Sequence, residues 1–245
     1  MMLAQAMRLT AEEDLAALPR ANEVSLILEH LDFADAEVLE LGCGKADKTR
    51  QIAAAAPVRR IRALEVDAVQ HARNLAGECP PRVDFLQAGA EAIPAEDGSV
   101  DIVMMFKSLH HVPVAAMDQA LAEIVRVLRP GGVAWISEPV FAGELNEVMR
   151  LFHDEQTVRQ AAFDAIRRAV AAGQLSLERQ LFFRTSSRYG NFADFEARMI
   201  RVTHTEHRLS PALLAEVERR FSAHLGPDGA EFFSPQRVDM LIKPR

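Results

Sequence analysis

Between residues 37 and 139, short apolar runs alternate with helix-forming segments, and this alternation leaves few architectures open. The runs are Val38–Leu41, Ile61–Val66, Val83–Leu86, Val100–Phe106 and Gly132–Ser137. Helical spacing or composition fills Lys48–Ala56, Ala68–Ala76 and Ala115–Leu128 between them. Strands separated by helices cannot pair as hairpins. They pair side by side in a mostly parallel sheet, with the helices covering both faces. Arg129-Pro130-Gly131-Gly132 reads as a helix exit and tight turn ahead of the fifth strand.

The flanks follow a different rhythm. Thr10 with Glu13 reads as a capping box opening a short helix that Pro19 ends, and Val24, Ile27, Leu28 and Leu31 form the stripe of a second helix. Beyond Glu138, one long amphipathic helix is expected from Leu145, Val148, Met149 and Phe152 through Phe163, Ile166 and Val170 to Gly173. Leu175–Tyr189 reads as extended, Phe192–Val202 and Pro211–Leu225 as helical, and Val238–Ile242 as a last strand. The chain thus divides into a helical segment (1–35), a ligand-binding core (36–139), and helical lid additions with the last strands (140–245). Residues 142–173 and 191–226 are expected to lie over one edge of the sheet.

Composition sets limits. Lys and Arg total 28 against 35 Asp and Glu, a net charge of −7, which argues against nucleic acid as a partner because neutralising phosphates takes clustered cations. Two cysteines, Cys43 and Cys79, make neither a disulfide framework nor a cysteine zinc site. No apolar run reaches the ~20 residues of a membrane span, and the start lacks a signal-peptide core, so a cytoplasmic protein with no membrane partner is expected.

The strongest local signal is the stretch VLELGCGKADKT at 38–49, a strand running into Gly42-Cys43-Gly44 with a helix behind. Open parallel sheets bind ligands beyond the carboxyl ends of their strands, where a glycine turn lets a ligand approach the backbone. A dinucleotide fingerprint would need glycine at 47; Asp47 stands there and would repel a pyrophosphate, which disfavours NAD and FAD. Ile61–Glu65 then ends in a carboxylate some twenty residues after the glycines, where one can hold ribose hydroxyls. Asp67 can share that role or cap the following helix.

The segments ELGCG, LEVD, AGAEAIPAEDGSVDIVM, FKSLHHV and LRPGGVAWISEP, in this order, resemble the successive motifs of class I S-adenosylmethionine-dependent methyltransferases. The resemblance is closest to the small-molecule group with an LHHV-type segment, and it covers residues 36–139. It implies a doubly wound, seven-stranded, mostly parallel α/β sheet with one antiparallel strand, and S-adenosylmethionine as cofactor. Carried onto this sequence, it brings Gly42, Cys43 and Gly44 to the methionine moiety and Glu65 to the ribose. Ala90 and Glu91 would lie by the adenine, and Phe106 and Lys107 would lead toward the methyl group. Glu40, Lys45 and Val66 complete the expected cofactor set. Three positions depart from the pattern: Ala46 replaces a frequent third glycine, Lys45 is an unusual long cation, and Gly89 stands where relatives carry an aspartate to the adenine amino group.

His110, His111 and Glu138, at the ends of the fourth and fifth strands, are the candidate catalytic residues. Each histidine can also be a packing or capping residue, and Glu138 can cap a turn. His204 and His207 lack a third ligand between them, so no metal is expected. Segment 179–208 carries Arg179, Arg184, Arg188, Arg198, Arg201 and Arg208 against Asp194, Glu196 and Glu206. Arginine forks suit carboxylates and phosphates, so Arg184, Arg188 and the lone Tyr189 are the candidate substrate residues for a small, anionic acceptor; surface ion pairs are the competing account. The expected function is methyl transfer to that acceptor. A non-catalytic cofactor-binding or interaction protein of the same fold is the alternative.

Overall fold

A computed structural model describes residues 7–12, 14–202 and 207–245. Its elements in chain order are α1 (Glu23–His30), β1 (Glu37–Leu41), α2 (Asp47–Ala55), β2 (Arg60–Glu65), α3 (Ala68–Ala76), β3 (Val83–Gln87) and β4 (Val100–Phe106). Then come α4 (Met117–Val127), β5 (Leu128–Pro139), α5 (Glu144–Met149), α6 (Gln156–Ala171), β6 (Ser176–Tyr189), α7 (Phe192–Phe195), α8 (Pro211–Ser222) and β7 (Ala230–Ile242). The seven strands form one sheet in the order β3-β2-β1-β4-β5-β7-β6. The pairings from β3 to β5 are parallel, and β7 is antiparallel to both β5 and β6. This is the expected doubly wound, seven-stranded sheet with one reversed strand.

The parallel strands read as continuous apolar runs because both faces are buried. On one face Leu39, Leu41, Val103, Met105 and Ile136 pack with Leu121 and Ile124 of α4 and Ala162 and Ile166 of α6. On the other, Val38, Ile61, Ile102, Met104 and Trp135 pack with Ile27 of α1 and Ile52 of α2. Caps fix two helix starts: Asn22 accepts the N–H groups of Val24 and Ser25, and Asp67 accepts those of Val69 and Gln70.

Several boundaries differ from the sequence reading. The long helix expected from 145 to 173 is two, α5 and α6. Leu145 and Val148 pack into a third cluster with Tyr189, Phe195, Phe221 and Phe232, whereas Ala162 and Ile166 pack under the sheet, and one straight helix cannot serve both. Arg129-Pro130-Gly131-Gly132 is not a turn before a strand but a bulge inside β5, where the register against β4 shifts between Val100 and Ile102. β7 begins at Ala230 rather than Val238. Pro235 hid its first half. It pairs with Arg184 at the point where β5 has ended, and Arg184 turns its own N–H to the Pro19 carbonyl (2.8 Å). Near the N-terminus, Asp14 caps a single 3-10 turn, Leu15–Ala17; Glu13, half of the expected capping box, lies outside the described residues.

Beyond the last β5–β7 pair, Pro139↔Gln236, β6 and β7 continue for six more pairs, from Arg184↔Pro235 to Tyr189↔Ala230. This two-stranded ribbon extends roughly 20 Å past the carboxyl end of β5. It carries the third cluster, so α5, α7 and α8 pack beside the end of the sheet at which parallel strands present ligands.

Candidate functional site

Strand order reverses direction between β1 and β4, and the loop after β1 opens at this switch point. Gly42 (φ +71°) donates its N–H to the Leu64 carbonyl (2.9 Å), and a Cβ there would lie 2.7 Å from Cβ of Ser108. Only glycine fits between β1 and the end of β4. Gly44 (φ +54°) is different: a Cβ would meet nothing within 4 Å, so one side of it is open. Its peptide is held at both ends. The N–H donates to Glu65 Oε2 (2.7 Å), and the carbonyl accepts from Asn74 Nδ2 (2.7 Å), a buried residue of α3. Ala46, in place of a third glycine, sits in the left-handed region at φ +58° and is buried.

Glu65 is buried at the end of β2, and its second oxygen accepts the Asp67 N–H (2.8 Å). The Asp67 carboxylate is used as the α3 cap, which leaves Glu65 as the acid turned to the loop. Val66 beside it is 68% exposed. Glu40 is buried under the loop, accepts the Thr49 hydroxyl (2.5 Å), and is pushed up to about 7 by burial. Burial, with Glu40 and Glu65 nearby, pushes the Cys43 thiol far up, so it stays protonated. Lys45 is exposed. Ala90 is buried at the end of the β3 loop, and the Glu91 carboxylate folds back to the position a Cβ of Gly89 would take.

At the end of β4, Phe106 is buried and Lys107 takes φ +59°, its N–H donated to the Ser137 carbonyl (2.7 Å). Its ammonium lies 3.5 Å from Glu23 of α1, as Lys48 does at 3.3 Å, and the Ser137 hydroxyl donates to the same carboxylate (2.6 Å). Burial pushes the Glu23 carboxyl up, but the two lysines and Ser137 outweigh it and hold it below its ordinary range. The sequence reading missed Glu23, because nothing in a helix stripe marks a side chain that reaches a distant strand end.

His110 and His111 lie on a 3-10 turn, Leu109–His111, directly after β4. Buried His110 holds Glu138 Oε2 through Nδ1 (2.5 Å), and the Leu109 N–H donates to Glu138 Oε1 (3.0 Å). Its Nε2 faces Glu155 Oε1 at 3.5 Å. Burial pushes the His110 imidazole down, but Glu138 and Glu155 outweigh it and raise it to about 9. Glu155, just before α6, was not foreseen; Arg159 donates to its Oε2 (2.6 Å), and His153 meets its Oε1 (2.9 Å). The exposed His111 stacks at a tilt on His110, ring centroids 4.1 Å apart. Ligand atoms of His110, His111 and Glu155 lie within 4.8 Å of one another, a cluster of metal-ligating groups that the sequence reading did not expect. His204 lies outside the described residues.

The expected substrate residues have partners within the chain. Arg188 is 77% exposed and paired with Glu231 (3.1 Å), and Arg201 is 70% exposed and paired with Glu196 (2.7 Å). Arg184 donates to the Leu18 carbonyl (3.0 Å), and Tyr189 is buried against Phe195, Phe221 and Phe232. The competing account, local ion pairs and core packing, describes Arg188, Arg201 and Tyr189, while Arg184 bonds a backbone carbonyl. The arginine buried deepest is Arg237 of β7, paired with Asp239 (2.8 Å) and missed because Pro235 obscured the strand.

Residues 38–132 match the family model described as a methyltransferase domain. A Mycolicibacterium smegmatis protein assigned as an S-adenosylmethionine-dependent methyltransferase is 35% identical over 147 residues, which is 56% of this chain and 53% of that protein. The ubiquinone/menaquinone biosynthesis C-methyltransferase of Hahella chejuensis is 33% identical over 126 residues, 49% of each chain. The chain therefore spans about half the length of these curated relatives. Among solved structures, a Bacillus halodurans protein assigned as a methyltransferase superposes with a TM-score of 0.63 at 17% identity, over 91% of this chain and 99% of that one. Residues 38–132 thus match a methyltransferase domain, and in strand order and glycine loop the chain resembles the class I S-adenosylmethionine-dependent methyltransferases.

Proposed function

We propose that this protein transfers a methyl group from S-adenosylmethionine to a small-molecule acceptor held between the ends of β4 and β5 and the β6–β7 ribbon. The observation that carries the reading is the Gly44 peptide, pinned between Glu65 and Asn74 with one side open. The residues present fit the cofactor. Glu65 is placed to accept ribose hydroxyls, and exposed Val66 offers an apolar surface to the base. Glu91 offers a carboxylate to the adenine amino group, and Glu40 a buried acid to the methionine ammonium. When bound, the sulfonium supplies an already electrophilic methyl, so the chain's task is alignment, which can lower a barrier by ~7–11 kcal/mol. His110 and Glu138 form a fixed pair at the acceptor end, with exposed His111 beside them. No charge on the acceptor is part of this reading, since Arg188 and Arg201 are paired with Glu231 and Glu196.

Calorimetric titration tests it. The demethylated product cofactor should bind and NAD should not, and Glu65→Ala should weaken binding roughly ten- to a hundredfold, the worth of a charge-assisted hydrogen bond. Unchanged affinity in that variant would remove Glu65 from the site. Product affinity without turnover on any metabolite panel would favour a binding protein of the same fold.

A further inference from the structure

Five groups from three separate segments converge beside the end of β4: His110 and His111 after the strand, Glu138 at the end of β5, and His153 and Glu155 before α6. The sequence separates them by up to 45 positions, and only the fold brings them together. We propose that His110, His111 and Glu155 bind a divalent transition-metal ion of the zinc type.

Donor chemistry selects the ion. Two imidazoles and one carboxylate suit zinc and its first-row neighbours, whereas calcium and magnesium are held by oxygen ligands alone. The spacing agrees. His110 Nε2 and Glu155 Oε1 are 3.5 Å apart. Two ligands at about 2.0–2.2 Å from a tetrahedral ion are separated by roughly 3.3–3.6 Å. All three ligand atoms lie within 4.8 Å of one another, with His111 at the surface.

The surroundings match those of a built metal site. Ligating histidines are held by a carboxylate on the other ring nitrogen, and ligating carboxylates are themselves hydrogen-bonded. Glu138 holds His110 Nδ1 at 2.5 Å, fixing the ring so that Nε2 points toward Glu155. The Leu109 N–H fixes Glu138 in turn, and Arg159 holds the Glu155 oxygen that does not face His110. With three protein ligands and one of them at the surface, a fourth position remains for water or an acceptor oxygen, as in metal sites that do chemistry. Ion binding is independent of the methyl-transfer reading. The ion's use, lowering the pKa of a hydroxyl on the acceptor, rests on that reading.

The test uses the full chain stripped of metal by chelator, titrated with Zn2+ by calorimetry and with Co2+ by visible absorption. One equivalent should bind, with the ligand-field bands of a four- or five-coordinate cobalt site. His111→Ala, at the surface and so harmless to folding, and Glu155→Gln should each weaken binding at least tenfold. Glu138→Gln should do so by ten- to a hundredfold. His224→Ala should change nothing. Product-cofactor affinity measured on His111→Ala should stay at the wild-type value, so that loss of metal and loss of the cofactor site are read separately. Absence of saturable binding in the wild type overturns the proposal, as does binding that survives both His111→Ala and Glu155→Gln. So does binding lost only in His207→Ala, which would put the ion between His207 and His153, whose ring centroids are 4.9 Å apart.

Discussion

The Glu91 carboxylate occupies the space into which a side chain at position 89 would start, where the resemblance expects an aspartate. Gly89→Asp alone should therefore lower cofactor affinity, because two carboxylates would compete for one space. Glu91→Ala should lower it about tenfold, the loss of one hydrogen bond to a charged group. The double variant should recover most of the loss. Calorimetry on all three decides, and a double variant no better than Glu91→Ala would take the acid out of adenine recognition. Glu40 allows a pH test. Its folded value of about 7 lies above its ordinary one, so between the two the folded chain holds a proton that the unfolded chain has released. Its contribution is thus complete below the ordinary carboxylate range and is lost as pH rises toward 7. Glu40→Gln should stabilise the ligand-free protein progressively more from about pH 5 to 8, by up to about 3 kcal/mol. Binding a ligand ammonium should expel that proton near neutrality. The binding enthalpy should then vary with buffer ionisation in the wild type and not in Glu40→Gln; heats independent of buffer in both would mean that Glu40 meets no cation.

Among elements, the parallel core was legible because its signal is local. Buried strands are uninterrupted apolar runs, and four of the five in the core differ from the expected limits by no more than one residue at either end. The division between Glu65 and Asp67 was legible in part: both acids were evident, but only the Asp67 bonds to Val69 and Gln70 show which one the helix consumes. The ribbon was legible in one strand only: Leu175–Tyr189 read as extended and is β6, but Pro235 breaks the β7 run, and Tyr189 and Arg188 look alike as ligands until one is found in the core and the other in solvent. That ribbon and α5, α7 and α8 share their own cluster, so they can loosen without disturbing the glycine loop. Phe221, fully buried there against Tyr189, Phe195 and Phe232, is the natural probe. Phe221→Ala should cost about 3–5 kcal/mol by cavity formation. Hydrogen exchange should rise in β6 from Arg184 onward and in α8, while product-cofactor affinity stays the same. A parallel fall in that affinity would show the two regions to be one cooperative unit.

Across the whole molecule, a polar seam ties the first described residues to the last strand. Arg8 and Gln180 exchange hydrogen bonds, the Arg8 N–H to Gln180 Oε1 (2.9 Å) and Gln180 Nε2 to the Arg8 carbonyl (3.1 Å). Gln180 also donates to Asp239 (2.6 Å), and Arg237 bonds both Asp239 (2.8 Å) and the Leu9 carbonyl (3.3 Å). Farther along, Arg184 receives Leu18 and Ala21, after which α1 delivers Glu23 to the ends of β4 and β5. Side chains more than two hundred positions apart leave no periodic trace, which is why Arg237 was invisible while the surface arginines of 179–208 drew notice. Arg237 lies over the Phe163 ring of α6 (4.3 Å) and is as buried as the core around it, so its charge is compensated chiefly by Asp239. Removing one member of a buried pair strands the other, at a cost of about 3–5 kcal/mol, whereas replacing both with apolar groups of similar size is often nearly neutral. Arg237→Met should therefore destabilise strongly, and Arg237→Met with Asp239→Leu should recover at least half of that loss in urea unfolding. The recovery measures how far the seam serves as charge compensation. If the double variant is as unstable as Arg237→Met alone, the damage lies in the lost bonds to Leu9 and Gln180, and the N-terminal segment is held by the arginine and the aspartate as individual hydrogen-bonding groups.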